Sequence, residues 1–476
     1  MKHLITLIAL VLNLALSAQT SDLKISTPYS ILKNSMHNYY FPKDDQVLSV
    51  KYGFGKLLFQ KLKPSEETQA APIIPENLPN GIDFEEVITF NNKYYFFYSV
   101  LDRKLLKQQL YVWEIDFETS NFIGQSKLLI SADFDIIPNE DKQRFFFETS
   151  PNKNYLAVKY QLKAEKKTNS SNQDRFVLSA YNGDFDELWN SQMTMPHFES
   201  QTSHKGFSID NEQNIYLLTE ILNDGEKKNT INKAPNYTTE IISITDQGKK
   251  NASSKFETSG KLTYGARLLQ ANGKLFILGS TCKFSTKSTG ALIASFDEDG
   301  TFSEPINIDL STEEMSGLLI ARNIVTGKDG SLFLLLENED TDHWSDGQKT
   351  YNYYIYGTAT ICKVDANLNL IYSKNILKYY KTTHNLIQGF RYLLTDENLS
   401  LIYNYYDEYE GVFIKKIGVK SGELSGEKLI NTADNKSYRY TDVDITNLAV
   451  LEKIKTVALE MIKDNKSGIL FSKEVE

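Results

Sequence analysis

The stretch Ala271-Asn272-Gly273-Lys274-Leu275-Phe276-Ile277-Leu278-Gly279-Ser280 has a close counterpart in Lys328-Asp329-Gly330-Ser331-Leu332-Phe333-Leu334-Leu335-Leu336-Glu337. Each begins with a tight polar turn and passes directly into an apolar run of strand length. Asn, Asp and Gly suit such turns because hairpins need residues that tolerate positive φ. Internal repetition of this kind decides a fold before any single motif does.

Working outward, the apolar run recurs near Val47, Tyr94, Tyr155, Ile215, Leu275, Leu332, Leu401 and Val457, at steps of 47, 61, 60, 60, 57, 69 and 56 residues. A second strand follows each run, as in Leu57–Lys61, Gln109–Ile115, Arg175–Ala180, Glu240–Thr245, Ala291–Phe296, Ala359–Val364, Val412–Ile417 and Ile469–Ser472. An outer strand comes next at Ser126–Ser131, Phe302–Leu310 and Asn369–Leu377, and a further strand precedes each opening turn. The unit is a four-stranded antiparallel meander of about 57 residues. Its central strands are apolar on both faces, which is the pattern of strands buried on both sides.

Such a sheet must be covered twice. Radial stacking of about eight of them meets that demand, so the expected fold is all-β, a β-propeller of four-stranded antiparallel blades. The last copy ends at Glu476 without an outer strand. Leu23–Ile31 is unclaimed, and it is expected to pair with the three C-terminal strands and close the ring. Leu448, Leu451, Ile454 and Val457 also fit helical spacing. A helix there would leave seven blades and a C-terminal appendage. The repeat resembles the β-propeller superfamily in the broad sense over nearly the whole chain. Trp-Asp blade endings and Gly-Gly kelch signatures are missing, so the resemblance brings no functional residues with it.

Residues 1–18 read as a secretory signal peptide. Met1-Lys2-His3 is a basic start, Leu4 to Leu16 is apolar apart from Thr6 and Asn13, and Leu16-Ser17-Ala18 supplies small residues at the cut. Residues 19–476 are then one propeller domain, exported to a periplasmic, cell-surface or extracellular location, with no transmembrane segment after cleavage. Loss of Lys2 takes the formal charge from −9 to −10, which argues against nucleic acid as a partner. Only Cys282 and Cys362 occur. Two isolated buried thiols are favoured over one bridge, and a disulfide framework is excluded.

Function is expected on one face of the ring. Turns entering the second strand and leaving the third are short and regular. The opposite face collects Ser131–Arg144, Lys163–Asp174, Met195–Phe207, Leu222–Asn236, Ser280–Thr289 and Asn338–Tyr351, which read as long irregular loops. His37, His197, His204, His343 and His384 all fall there, but no His-x-Glu, His-Glu-x-x-His or Cys-x-x-Cys spacing supports a metal, and no cofactor is expected. Glu337 to Gly347 is the most distinctive of these segments. Its Asp342, His343 and Trp344, with Tyr380, His384 and Tyr406 from the neighbouring segments, form the candidate ligand-binding set; carboxylates beside aromatic rings suit a protein or glycan partner. The leading reading is a non-enzymatic binding module. The alternatives are a glycoside hydrolase or lyase using carboxylates at the central channel, and a structural component of the envelope. No catalytic motif, Gly-x-Ser-x-Gly included, decides among them.

Overall fold

The computed structural model describes residues 24–33, 35–133, 144–162, 172–223, 230–231, 234–256, 262–284, 287–296, 303–310, 317–345, 350–382, 389–405, 411–431, 448–463 and 467–474. They form an eight-bladed β-propeller of antiparallel sheets. Blade two shows the plan: Asp83–Phe90 inside, then Lys93–Asp102, Lys107–Asp116 and Asn121–Asp133 at the rim. Blades three to seven repeat it, with inner strands Phe146–Thr149, Thr202–Ile209, Leu262–Ala271, Leu319–Thr326 and Phe390–Leu394. Blade one has three strands, His37–Lys43, Gln46–Gly53 and Lys56–Leu62. Its rim position is taken by the Pro-rich segment, where Phe59 and Ile73 exchange backbone hydrogen bonds of 2.8 and 2.7 Å.

Ring closure follows the expected route. Lys24 and Ile25 pair with Ser472 and Phe471, and Tyr29 and Ser30 with Gly468 and Ser467. This completes blade eight around Leu448–Leu451, Thr456–Lys463 and Ser467–Glu474. The segment with helical spacing is therefore a hairpin. Leu451 turns through a short 3-10 stretch, Glu452–Ile454, and Lys455 adopts φ 46° to start the return strand. Its apolar residues are held by pairing on both sides rather than by one helical face.

Two-sided burial is literal. In Leu332–Leu336, Leu332, Leu334 and Leu336 enter the core shared with blade five, while Phe333 and Leu335 enter the core shared with blade seven. Strand alternation sends neighbours to opposite faces. The same split separates Phe96 from Phe97, Leu217 from Leu218 and Leu401 from Ile402. Among the described residues the ring thus has one apolar cluster at each blade junction and no common hub. Each fully buried Leu or Phe contributes about 1.5–3 kcal/mol. Cys282 and Cys362 are free, buried thiols.

The turns behave as their residues require. Asn272 and Gly273 take φ 50° and 69°, and Asn91 and Asn92 take 47° and 58°, the paired left-handed values of a tight hairpin. On the opposite face the structure corrects the loop reading in three places. Ser280–Thr289 and Asn338–Tyr351 are largely strand, because their hairpins continue past the core as backbone ladders, and Met195–Phe207 is the end of blade three's rim strand and the start of blade four's inner strand, joined by the 3-10 turn Glu199–Gln201.

Candidate functional site

The largest departure from the repeat is in blade six. Its middle strands run Leu332–Ser345 and Thr350–Val364, well beyond the blade body. Beyond a register shift between Glu337 and Glu339, the pairs Glu339–Tyr356, Asp340–Ile355, Thr341–Tyr354, Asp342–Tyr353 and His343–Asn352 build an arm on the irregular face. Tyr380–Thr382 adds a third strand along Tyr354–Tyr356.

The arm sorts the expected site residues. Asp342 is exposed and accepts a 2.7 Å hydrogen bond from Lys381 Nζ, which lies 4.6 Å from the centre of the Tyr353 ring. The Lys381 ammonium beside it holds the Asp342 carboxyl below its ordinary range. His343 is also exposed, but strand alternation turns it to the other face, with Tyr354. Trp344 pairs through its backbone with Tyr351. Tyr380 is buried, its ring 6.2 Å from that of Tyr356, in the core between blades seven and eight. His384 and Tyr406 lie outside the described residues.

The other described histidines are strand residues rather than loop residues, although all sit near strand ends on the irregular face. His37 stacks on Phe84 at 4.4 Å in the first junction. His197 is on the rim strand of blade three. His204 bonds Asp174 at 2.6 Å between blades three and four. Among the described residues, no three His, Cys, Asp or Glu side chains gather in a metal-binding group.

Buried polar groups clasp the blade junctions near this face. The Glu85 carboxylate accepts from the N–H groups of Arg144 and Phe145 at 2.9 and 3.3 Å where the chain enters blade three; burial still pushes it up to about 7. The Tyr237 hydroxyl accepts from Thr263 N–H at 2.8 Å, and Ser288 Oγ from Leu319 N–H at 2.9 Å. Tyr29, Tyr40 and Lys51 all donate to Glu460, at 2.8, 2.6 and 2.6 Å, where blade eight meets blade one. The densest clasp joins blades six and seven. Glu337 accepts from Arg322 Nε at 2.8 Å and Gly389 N–H at 2.9 Å, and is also paired with Lys378. Arg322 extends to Glu339 as well. Side chains of Arg322, Glu337 and Lys378 are fully enclosed. A buried charge persists only when paired in this way.

The inner strands carry β-bulges where several of these groups sit. Register shifts fall between Phe84 and Glu86, His204 and Gly206, Tyr264 and Arg267, and Ala321 and Asn323. A bulge re-aims a side chain that regular pairing would fix. Glu85 and Arg322 are placed by theirs. In blade five the bulge needs Gly265: at φ 59° a Cβ would come within 2.7 Å of Ile320 Cα on the adjacent inner strand.

Two charges on inner strands were not anticipated from the sequence. Glu148, on the inner strand of blade three, is exposed to solvent yet sufficiently surrounded by protein that burial pushes its carboxyl up to about 7, against the opposing pull of Lys153 and Arg267. Arg267, half-buried on the inner strand of blade five, has its pKa lowered, first by burial and then by the neighbouring Arg322 charge. The available signal was a charged residue inside an otherwise apolar inner strand, Phe146-Phe147-Glu148 and Ala266-Arg267-Leu268.

No protein-family model matches the chain, and no curated protein matches it. Solved structures do align along it. The polysaccharide lyase Uly1 is 10% identical with a TM-score of 0.39, over 95% of this chain and 100% of that one. The oligogalacturonate lyase from Vibrio parahaemolyticus is 9% identical with a TM-score of 0.39, over 96% and 98%. A prolyl endopeptidase structure is 8% identical with a TM-score of 0.43, over 96% of this chain and 55% of that one. At such identities and TM-scores none of their activities carries over to this chain.

Proposed function

We propose that this chain is an exported β-propeller, directed out of the cytoplasm by residues 1–18, that binds a protein or glycan partner through its irregular face. The blade-six arm is the principal contact. The observation that carries this reading is the ladder running on past the blade to hold Asp342, Lys381 and Tyr353 together on one solvent-facing side. A two-stranded arm with a third strand at its root is stiff, so little conformational freedom is lost on binding. An aromatic ring beside a paired acid and base offers stacking and hydrogen bonding to a polar surface.

The test is binding of the mature protein to glycan arrays and to envelope proteins, alongside the triple variant Asp342→Ala, Tyr353→Ala, Lys381→Ala. At least a ~10-fold loss of affinity is expected, as for the central residues of other interfaces. A folded variant that binds its partner unchanged removes the arm from the interface. Export is checked separately, by the intact mass of protein recovered from the non-cytoplasmic fraction. A mature chain starting at Gln19 is expected, and a full-length chain confined to the cytoplasm defeats that part.

A further inference from the structure

Blades one and two end on the irregular face in hairpin tips that carry apolar side chains. The strand Gln46–Gly53 turns through Phe54 and Gly55 into Lys56–Leu62, and Lys93–Asp102 turns through residues 103–106 into Lys107–Asp116. Phe54 and Leu106 take φ 50° and 52°. Left-handed backbone is costly for a bulky side chain, and Asn, Asp or Gly ordinarily fills such positions. Two other apolar residues among those described share this conformation, Phe185 at φ 60° and Leu368 at 63°. Both are buried in cores at blade junctions, which accounts for their choice. Phe54 and Leu106 fill no core and are 73% and 64% exposed. Leu105 is as exposed as Leu106. Met36, whose N–H donates to the Tyr52 carbonyl at 2.8 Å beside the Phe54 turn, is exposed as well. A Cβ placed on Gly55 would meet nothing within 4 Å, so this tip stands clear of the body.

The two tips are neighbours. Tyr52 stacks on Phe84 with ring centres 5.0 Å apart, and Phe84 pairs with Tyr98, which brings the second strands of the two blades side by side. Phe54 follows two residues after Tyr52, whereas the blade-two turn begins five residues after Tyr98. Blade two therefore reaches further out, by roughly 10 Å of strand. Its turn is braced by Asp102, which accepts from the N–H groups of Lys104 and Leu105 at 2.9 and 3.1 Å. Bases flank both tips. Lys56, Arg103 and Lys104 are exposed, and their side chains form no hydrogen bond or ion pair with a described residue. The acids at these strand ends are engaged: Asp102 in its turn, Asp133 with Lys107 at 2.5 Å and Asp83 with Arg144 at 2.9 Å. The chain as a whole is acidic, at −9, so this basic sector is where an anionic surface can approach.

Projecting apolar tips flanked by unpaired bases have the chemistry of an interfacial anchor. The apolar side chains pass below the headgroups, and the bases stay on the headgroup charges. A protein partner would have to offer a separate socket for each tip at the right spacing, whereas a bilayer yields around both. We infer that the irregular face over blades one and two docks on an anionic lipid surface, with Leu105 and Leu106 entering furthest, Phe54 and Met36 at the level of the headgroups, and Lys56, Arg103 and Lys104 on the phosphates. In the ring of eight this sector lies across from the blade-six arm, so either reading can fail alone.

The experiment is co-sedimentation of the mature protein with two kinds of vesicle, phosphatidylcholine alone and phosphatidylcholine mixed with an equal part of phosphatidylglycerol, at low and at high salt. Binding is expected to be at least ~10-fold tighter to the anionic vesicles and to weaken with salt. The double variant Leu105→Ser, Leu106→Ser should lose at least ~10-fold, since each leucine taken out of water contributes about that factor. The double variant Arg103→Gln, Lys104→Gln should reduce the preference for anionic lipid. Phe54→Asn separates docking from folding. Asn suits φ 50°, so the thermal unfolding midpoint is expected to hold or rise while vesicle affinity falls. The inference is overturned by no vesicle binding at millimolar lipid, by equal binding to both vesicles, by unchanged affinity in the folded leucine variant, or by a lower midpoint in Phe54→Asn without loss of affinity. Capture of an envelope protein through Leu105 and Leu106 in the absence of vesicle binding also overturns it, in favour of a protein interface.

Discussion

Two groups of charges share the interior of this ring and behave in opposite ways. At the junction of blades six and seven, Arg322, Glu337, Lys378 and the Gly389 N–H converge so that the central carboxylate is surrounded by donors. On the inner strands of blades three and five, Glu148 and Arg267 stand apart with no hydrogen bond or ion pair to a described residue. Enclosure is costly for both sets, because a charge removed from water loses hydration that only a partner restores. The clasp recovers that cost inside the protein. Glu148 and Arg267 leave it unrecovered. The difference separates charges that hold the scaffold from charges available to something else.

The most forceful way to break the contrast is Glu337→Gln. It leaves Arg322 and Lys378 enclosed without their shared counter-charge, and a loss of about 3–5 kcal/mol in unfolding free energy is expected by denaturant titration. Arg267→Met, on the unclasped side, should change stability by less than about 1 kcal/mol, because it removes a charge that has no bond to lose and relieves repulsion from Arg322. Equal losses in the two variants would abolish the distinction.

A smaller effect sharpens it. The Glu148 carboxyl is expected to titrate near 7 by carbon-detected NMR, well above the ordinary 4.5 of a glutamate. The folded pKa lies above the unfolded one, so the folded state binds more protons between these values. Stability therefore falls as pH rises from about 4.5 through about 7, and Glu148→Gln should flatten that slope. A midpoint in the ordinary carboxylate range would show that the residue lies in open solvent rather than enclosed by protein.

Much of the architecture was legible because its causes are local. Asn272-Gly273 turns tightly wherever it is placed, and Leu332–Leu336 is apolar at consecutive positions only because both faces of its strand are covered. Closure by the N-terminal strand could be read from a missing rim strand at one end and a spare strand at the other. The irregular face was correctly located, but its hairpins were taken for loops. Polar ladders such as Thr341–His343 opposite Asn352–Tyr354 lack the apolar alternation by which strands are recognised. Of the candidate site, Asp342 and His343 were found on the arm, whereas Tyr380 was placed by its neighbours in sequence and lies in a core.

By itself, then, the sequence determined the blade and the face on which the copies diverge, since turn preference and strand periodicity act within a few residues; the count of eight was decided by the hairpin at Leu448–Lys463, where the sequence also allowed a helix. Only the tertiary structure decided which charges meet. Glu337 and Gly389 are 52 positions apart, and Glu148 and Arg267 lie on inner strands with one whole blade between them. Bulges in the inner strands set those meetings by re-aiming single side chains. Whether a charge ends up clasped or free depends on neighbours that no short stretch of the chain contains.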